Sequence, residues 1–370
     1  MLLAKTLNTQ YLPKRLRLLG ACLVFLGSSI LPSGVHAADG IVSGKIALPE
    51  ISGALSVGNR LLVVADDVED EEDDVRKFHM VVLLNDAATR LKAGGVIAPT
   101  EEEQVYKTLL EKLKKSDFDF ITDFEDITAS PQGEIYLINS HSLSKKDKRP
   151  PKRQRLVKLG VKPESGEIVD AVANPRSLID AVPAELKDSL TKRPGAMEGD
   201  KYTPGFNIEG LAWAPDNGLF AGLRSPLLDD KKAVVLRLTN VNSPFDNAPD
   251  PSAPPKFIIE AKLDLGGMGI RGMSYDEQNK GYWLIAGISP DPDKADPKLP
   301  NDWSVWFWNG KDTPEKRWDK KKIPAGMTLD NPEAICLVGS GDAERFLLLV
   351  SDDGSKTPSS YLLIPLQELK

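Results

Sequence analysis

Glu209-Gly-Leu-Ala-Trp-Ala-Pro-Asp-Asn-Gly-Leu-Phe-Ala-Gly-Leu-Arg224 reads as two short apolar strands around a tight turn. Pro-Asp-Asn-Gly supplies residues that tolerate positive φ, and each flanking run has strand length. The same outline, a charged residue opening a short apolar strand that turns into a more apolar one, recurs four more times in the 370 residues. The copies begin at Glu50 (EISGALSVGNRLLVVADD), Glu125 (EDITASPQGEIYLINSH), Arg271 (RGMSYDEQNKGYWLIAG) and Glu333 (EAICLVGSGDAERFLLLVSDD), at separations of 75, 84, 62 and 62 residues. A period of this size means stacked or radially arranged β units.

Two further strands follow most copies. After the third they are Ala233–Thr239 and Phe257–Leu265, and after the fourth Trp303–Trp308 and a weaker segment near Arg317–Ile323. Four strands in about sixty residues is the pattern of a β-propeller blade. The last unit is one strand short, whereas an orphan strand, Gly40–Ile46, precedes the first copy. Pairing the orphan with Ser360–Leu366 removes an open edge. The expectation is therefore an all-β chain, a five-bladed propeller of four-stranded blades closed by its N-terminal strand. Two short helical insertions account for the longer spacings. Thr100 to Lys115 carries a capping box, Thr100 with Glu103, and apolar residues at Val105, Leu109 and Leu113; Ala184–Lys192 follows Pro183.

The first 37 residues hold no acid, a basic patch (Lys14, Arg15, Arg17), an apolar run from Leu18 to Leu31, and Val35-His36-Ala37. This is the pattern of a secretory signal peptide, which makes residues 38–370 one mature domain in the periplasm or outside the cell, without a membrane span and monomeric. Leu19-Gly20-Ala21-Cys22 resembles a lipoprotein box but lacks the preceding apolar run. Removing the segment takes four of the 47 bases and none of the 54 acids, leaving a formal charge of −11. That balance excludes a nucleic-acid partner, whose phosphates need a basic stripe. Cys336 then stands alone in an apolar strand, a buried thiol.

Two charge runs, Asp66–Asp74 and Lys145–Arg155, are solvated loops or a salt-sensitive clasp between neighbouring blades. Gly267-Met-Gly-Ile-Arg-Gly272 matches G-x-G-x-x-G, but a strand follows it where a dinucleotide fold needs a helix. No HExxH, P-loop, G-x-S-x-G, paired CxxC or EF-hand loop occurs.

The informative chemistry is positional. Superposing the repeats puts Glu50, Glu125, Glu209, Arg271 and Glu333 where the innermost strands begin, ringing a central channel. The second strands return Asp66, Asn139, His141, Arg224, Ser289 and Asp352 to the same face. Carboxylates so crowded require neutralisation by protons, by a cation, or by Arg271 lying between Glu209 and Glu333. In one reading Glu50, Glu125, Glu209 and Glu333 hold Ca²⁺. Glu125, Glu209 and Glu333 are then the catalytic carboxylates, His141 is a general acid or base, and Arg224, Arg271, Asn207 and Asp352 bind the ligand. In the other the ring is a hydrated polar funnel closed by an internal Arg–Glu pair.

Phe206-Asn-Ile-Glu-Gly-Leu-Ala212, Gly222-Leu-Arg-Ser-Pro226, Leu263-Asp-Leu-Gly-Gly-Met-Gly-Ile-Arg-Gly272 and Asn331-Pro-Glu-Ala-Ile335 resemble the hallmark segments of a bacterial secreted family of unknown function, domain of unknown function three-six-one-six. The strand openings are more distantly similar to those of esterase-like phytase relatives. A glutamate ring in a five-bladed propeller is similar to that of calcium-activated nucleotidases. Two functions follow as expectations: a funnel that binds a small polar or anionic ligand, with Ca²⁺-dependent phosphoester hydrolysis as its catalytic form, or a non-catalytic module that docks a protein or another component of the cell envelope.

Overall fold

The computed structural model describes residues 40–66, 81–113, 121, 123–144, 146–162, 165–175, 177–194, 197–198, 201–202, 204–229, 231–245, 254–289, 302–339, 344–354 and 357–370. The expected leader and cleavage site lie outside them, as does the acidic run beyond Asp66. Among the described residues twenty-two strands, two α-helices and several 3₁₀ turns follow one another. They are β1 (Val42–Ile46), β2 (Ile51–Val57), β3 (Arg60–Ala65), β4 (Val81–Leu84), α1 (Ala87–Ala93), β5 (Gly95–Ile97), α2 (Tyr106–Leu113), β6 (Phe124–Ala129), β7 (Glu134–Asn139), β8 (Leu156–Val161) and β9 (Ile168–Ala173). A two-residue ladder, β10 (Met197–Glu198) with β11 (Lys201–Tyr202), precedes β12 (Asn207–Ala214), β13 (Gly218–Ser225), β14 (Ala233–Thr239), β15 (Lys256–Leu263), β16 (Gly269–Asp276), β17 (Gly281–Gly287), β18 (Trp303–Trp308), β19 (Glu315–Asp319), β20 (Pro332–Val338), β21 (Phe346–Ser351) and β22 (Ser359–Pro365).

Five antiparallel sheets take the expected order: β2-β3-β4, β6-β7-β8-β9, β12-β13-β14-β15, β16-β17-β18-β19 and β20-β21-β22-β1. Their first strands touch in a closed ring, β2 to β6, β12, β16, β20 and back to β2. This is a five-bladed β-propeller. The N-terminal strand closes it as expected, with Val42 opposite Leu363 and Ile46 opposite Ser359.

Two details differ from the expectation. The first blade has three strands and the closing blade five, because the chain turns back through α1 and lays β5 parallel to β1, Gly44 opposite Gly95. Among the described residues the outer edge of β4 is met by an irregular stretch, in which the Val105 N–H donates to the Val81 carbonyl at 3.1 Å. The first helical insertion is a 3₁₀ turn, Glu101–Glu103, and then α2, with the Thr100 N–H bonded to the Glu103 carboxylate at 2.8 Å. The second, Ala184–Thr191, is 3₁₀ throughout.

Both faces of each blade are buried, so the second strands are apolar at nearly every position. Along β3, Leu61 and Val63 enter the core shared with the closing blade, while Leu62 and Val64 enter the core shared with the second blade. Along β21, Leu347 and Leu349 face the fourth blade, and Leu348 and Val350 the first. Period-2 alternation thus feeds five cores, one at each blade interface. Cys336 lies in one of them as a free buried thiol. The glycines of the Gly267–Gly272 stretch serve the turn into β16 and the strand's close approach to its neighbours. Gly267 has φ +81°, and a Cβ at Gly272 would stand 2.2 Å from the Glu333 carbonyl oxygen.

The ring leaves a gap on its axis, and one side chain fills it. Asp126 is fully buried, and its carboxylate accepts N–H groups from three inner strands: Ile127 at 2.8 Å, Leu211 at 2.7 Å and Met273 at 3.1 Å. The corresponding positions of the other inner strands are Gly53, Gly210, Gly272 and Ala334, which leave room for it. Burial pushes the Asp126 carboxyl well above the usual carboxylate range, and the backbone donors pull it partly back. Asp126→Ala orphans buried N–H groups of two other blades, each costing about 1–3 kcal/mol. A loss of about 2–6 kcal/mol in urea unfolding is expected, and one below about 0.5 kcal/mol would contradict the axial role.

Candidate functional site at the channel mouth

All five inner strands carry a register shift at the same place, one residue after another standing out of the ladder: Ser52, Glu125, Glu209, Arg271 and Glu333. A bulge of this kind re-aims the extra side chain, here toward the axis. Four of the five expected ring positions are therefore occupied by the expected residues, and the first is not. Glu50 precedes its strand with φ 52°, and its carbonyl accepts the Asp66 N–H. Ser52 takes its place and bonds the Phe124 carbonyl of the next blade.

Arg271 joins three blades. Its Nε lies 3.3 Å from Glu209, one terminal nitrogen pairs with Glu333, and the other bonds Asn331. Arg224 pairs with Glu209 at 2.7 Å and donates to the Ile288 carbonyl at 3.2 Å. Asn207 donates to Glu209 at 2.7 Å, which fixes its amide orientation, since the carboxylate can only accept. Burial here ranges from 4 % exposure at Glu209 and Arg271 to 7 % at Arg224 and Asn207. The arrangement carries Arg271 between Glu209 and Glu333, so charge on this side cancels within the protein.

The opposite side does not balance. Glu125, 6 % exposed, is pushed well above the carboxylate range by burial, then by the charges of Asp66, Asp123 and Glu209, against a smaller opposing pull from Arg153. Asp66, Asp123 and Glu125 each offer an oxygen within 4.8 Å of the others, and this cluster could hold a metal ion. Asp123 bonds Ser140 and pairs with Arg153 at 2.7 Å.

The remaining expected residues have other work. His141, 1 % exposed with φ 55°, donates its Nδ1–H to the Asn139 carbonyl at 2.7 Å, which leaves a lone pair on Nε2. Burial, aided by Arg149 and Arg155, takes its pKa down to about 4, so it is neutral at pH 7. Asp352 accepts the Gly354 N–H at 2.8 Å in its own turn. Asn139 donates to the Asp123 carbonyl and accepts from the Arg155 N–H, bracing the loop beneath the acidic cluster. In the basic run, Arg149 and Arg155 bond backbone carbonyls of His141, Leu190 and Asn174. A charge clasp with the acidic run falls outside the described residues beyond Asp66. Asp123, Asp126, Arg153 and Asn331 were not singled out by the repeat. The one available signal is Glu125-Asp126, two acids where the other copies have one charge and a small residue, or Ser-Gly.

The matched family can now be set beside this geometry. Residues 200–360 match the model of a family described as "Protein of unknown function (DUF3616)". The match covers the third and fourth blades and the first two strands of the closing one, which together hold Asn207, Glu209, Arg224, Arg271, Asn331, Glu333 and Asp352. No curated protein matches the chain, so the similarities to phytase relatives and nucleotidases have no curated relative behind them. Among solved structures, Bacillus subtilis arabinanase Arb43A is 10 % identical, with 86 % of this chain and 94 % of that one covered and a TM-score of 0.41. A family GH43 β-1,3-galactosidase is 10 % identical over 85 % and 89 %, TM-score 0.40. A luciferin-regenerating enzyme is 12 % identical over 85 % and 78 %, TM-score 0.33. Likenesses this slight carry no argument about activity, and the fold rests on the strand pairing. Among the described residues no helix is long and apolar enough to cross a membrane.

Two tests follow. Arg271→Met takes the guanidinium from Glu333 and one of the two from Glu209 in a buried site and is expected to cost about 3–5 kcal/mol in urea unfolding; a cost near zero would mean the pairs are solvated. For His141 the folded pKa lies below the unfolded one. The unfolded chain binds the extra proton between pH 6.5 and about 4, so its contribution is complete above pH 6.5 and is lost as pH falls through that window. At pH 5 the wild type should have lost about 2 kcal/mol more, relative to pH 7, than His141→Gln. Parallel stability curves would show that the ring protonates freely.

Proposed function

We propose that the channel mouth binds a small ligand rich in hydrogen-bond donors, a polyol or sugar by class, in a protein exported to the periplasm or beyond. The observation that supports this reading is that Asn207 and Glu209 each bring a buried acceptor oxygen to the mouth. Asn207 Oδ1 is buried without a hydrogen-bond donor, and Glu209 Oε2 makes no hydrogen bond beyond its ion pair with the Arg271 Nε at 3.3 Å. Glu125 faces them with no hydrogen-bonded or ion-paired partner among the described residues. Buried acceptors of this kind are costly unless a ligand or water supplies the donor.

The engaged arginines weigh against an anion clamp. Every nitrogen of Arg271 faces Glu209, Asn331 or Glu333, and a phosphate held by Arg224 and Arg271 would have to displace these partners. Hydrolysis that uses Glu209 and Glu333 as metal ligands meets the same obstacle, so binding is the reading the geometry favours. The oxygen-lined wall makes Ca²⁺ the ion to supply with the ligand.

A thermal-shift screen of polyols, sugars and inorganic anions, run in EDTA and again with Ca²⁺, tests the reading. At least one polyol or sugar class should raise the melting temperature by linkage, and Asn207→Leu should abolish the shift while the protein stays folded. Stabilisation by phosphate or sulfate with none by any polyol would contradict it.

A further inference from the structure

Beyond the ligand itself, the two sides of the mouth differ in what they lack. The side built on Arg271 is neutral within itself. The side built on Glu125 is not, and Glu125 is the group that shows it: a carboxylate 94 % buried, turned to the axis by its bulge, beside two other carboxylates, with no hydrogen-bonded or ion-paired partner among the described residues. A carboxylate in that position must be neutralised by a proton or by a cation.

We propose that Asp66, Asp123 and Glu125 form a site for one hard divalent cation of the Ca²⁺ class, at the junction of the first and second blades. The charge fits in sign: Glu125 has no ion-paired partner among the described residues, and a cation held between it, Asp66 and Asp123 would supply one. The donors fit too, being oxygens alone, which hard cations take and which give no preference to Zn²⁺ or copper. The frame is set by the backbone. The Asp66 N–H donates to the Glu50 carbonyl and the Asp123 N–H to the Asp66 carbonyl, both at 2.9 Å, so the ends of β3 and the start of β6 are tied together before any ion arrives. Asp123 is held at φ 68°, an uncommon conformation for a residue other than glycine, and that conformation brings its side chain beside Glu125. Ser140 and Arg153 hold the Asp123 carboxylate in place.

Three carboxylates do not complete the shell of such an ion, whose remaining positions take water or ligand oxygens. This part rests on the ligand reading above: a polyol would meet the ion with its hydroxyl oxygens, and Asn207 and Glu209 with its hydroxyl protons. The ion itself needs no organic ligand, so the two readings fail separately.

The test is isothermal titration calorimetry of the whole mature protein, freed of metal with EDTA and then dialysed, with CaCl₂ and MgCl₂ as titrants at pH 7.5 and no organic ligand present. One site is expected, with a Ca²⁺ dissociation constant of about 10⁻³ M or tighter. Glu125→Gln and Asp123→Asn should each weaken it at least about tenfold, whereas Glu134→Gln, at the far end of β7, should leave it unchanged. Should either site variant fail to fold, Asp66→Asn serves in its place. Two results overturn the proposal. One is binding that survives Glu125→Gln and Asp123→Asn together. The other is a wild type that takes up neither ion at about 10 mM.

Discussion

A bulge at the same step of five inner strands turns Ser52, Glu125, Glu209, Arg271 and Glu333 out of their ladders toward one axis. Regular strands would bury half of these side chains between blades, where an unpaired charge is prohibitive. The bulge permits charged residues at the tightest part of the molecule, and it obliges them to neutralise one another. Arg271, reaching Glu209 on one side and Glu333 on the other, does so for three blades at once. Ser52, with no charge to contribute, leaves the first two blades without an equivalent partner. The division of the mouth into a balanced and an acidic side is thus a consequence of which residue each repeat carries at its bulge.

The residue after each bulge obeys a second constraint. Five inner strands converge closely enough that a Cβ at Gly210 would come within 2.7 Å of Met273, and one at Gly272 would strike the Glu333 carbonyl. Four blades accordingly have Gly or Ala there. The second blade has Asp126, whose carboxylate fills the space left by the others and bonds their backbone N–H groups. Its burial and that of Glu125 stem from the same crowding, yet their surroundings differ. Asp126 has backbone donors, and Glu125 has other carboxylates. Away from the mouth, two clefts of about 830 and 860 Å³ open, one along β15 and one at the turn end of β12 and β13; neither touches the charged ring.

Blade number and closure were legible because each depends on the alternation of apolar residues and on turn chemistry, which are local. The pairing of Glu209, Arg271 and Glu333 was legible for a related reason, since rotational equivalence converts sequence position into proximity. Glu50 shows where that reasoning stops. Its place in the repeat was assigned by matching a charge to a charge, but register is fixed by the strand ladder, and the ladder puts Ser52 at the bulge and Glu50 two residues outside. β5 escaped notice because a three-residue parallel strand has no alternation to detect, and its pairing with β1 is set by the turn through α1. Asp123 and Arg153 belong to loops, whose positions depend on tertiary bonds such as the Asn139 contacts rather than on any period.

The central claim is that charge at the mouth is divided, with Arg271 closing one side and the other left open to a cation. It is tested most directly by anomalous diffraction from crystals of the mature protein soaked in a lanthanide such as Tb³⁺, a heavy substitute for Ca²⁺. The account predicts one strong peak at the mouth, bounded by Asp66, Asp123 and Glu125, with Arg271 still seated between Glu209 and Glu333. A peak between Glu209 and Glu333 with Arg271 displaced, or a mouth without a peak while ions bind elsewhere, would contradict it.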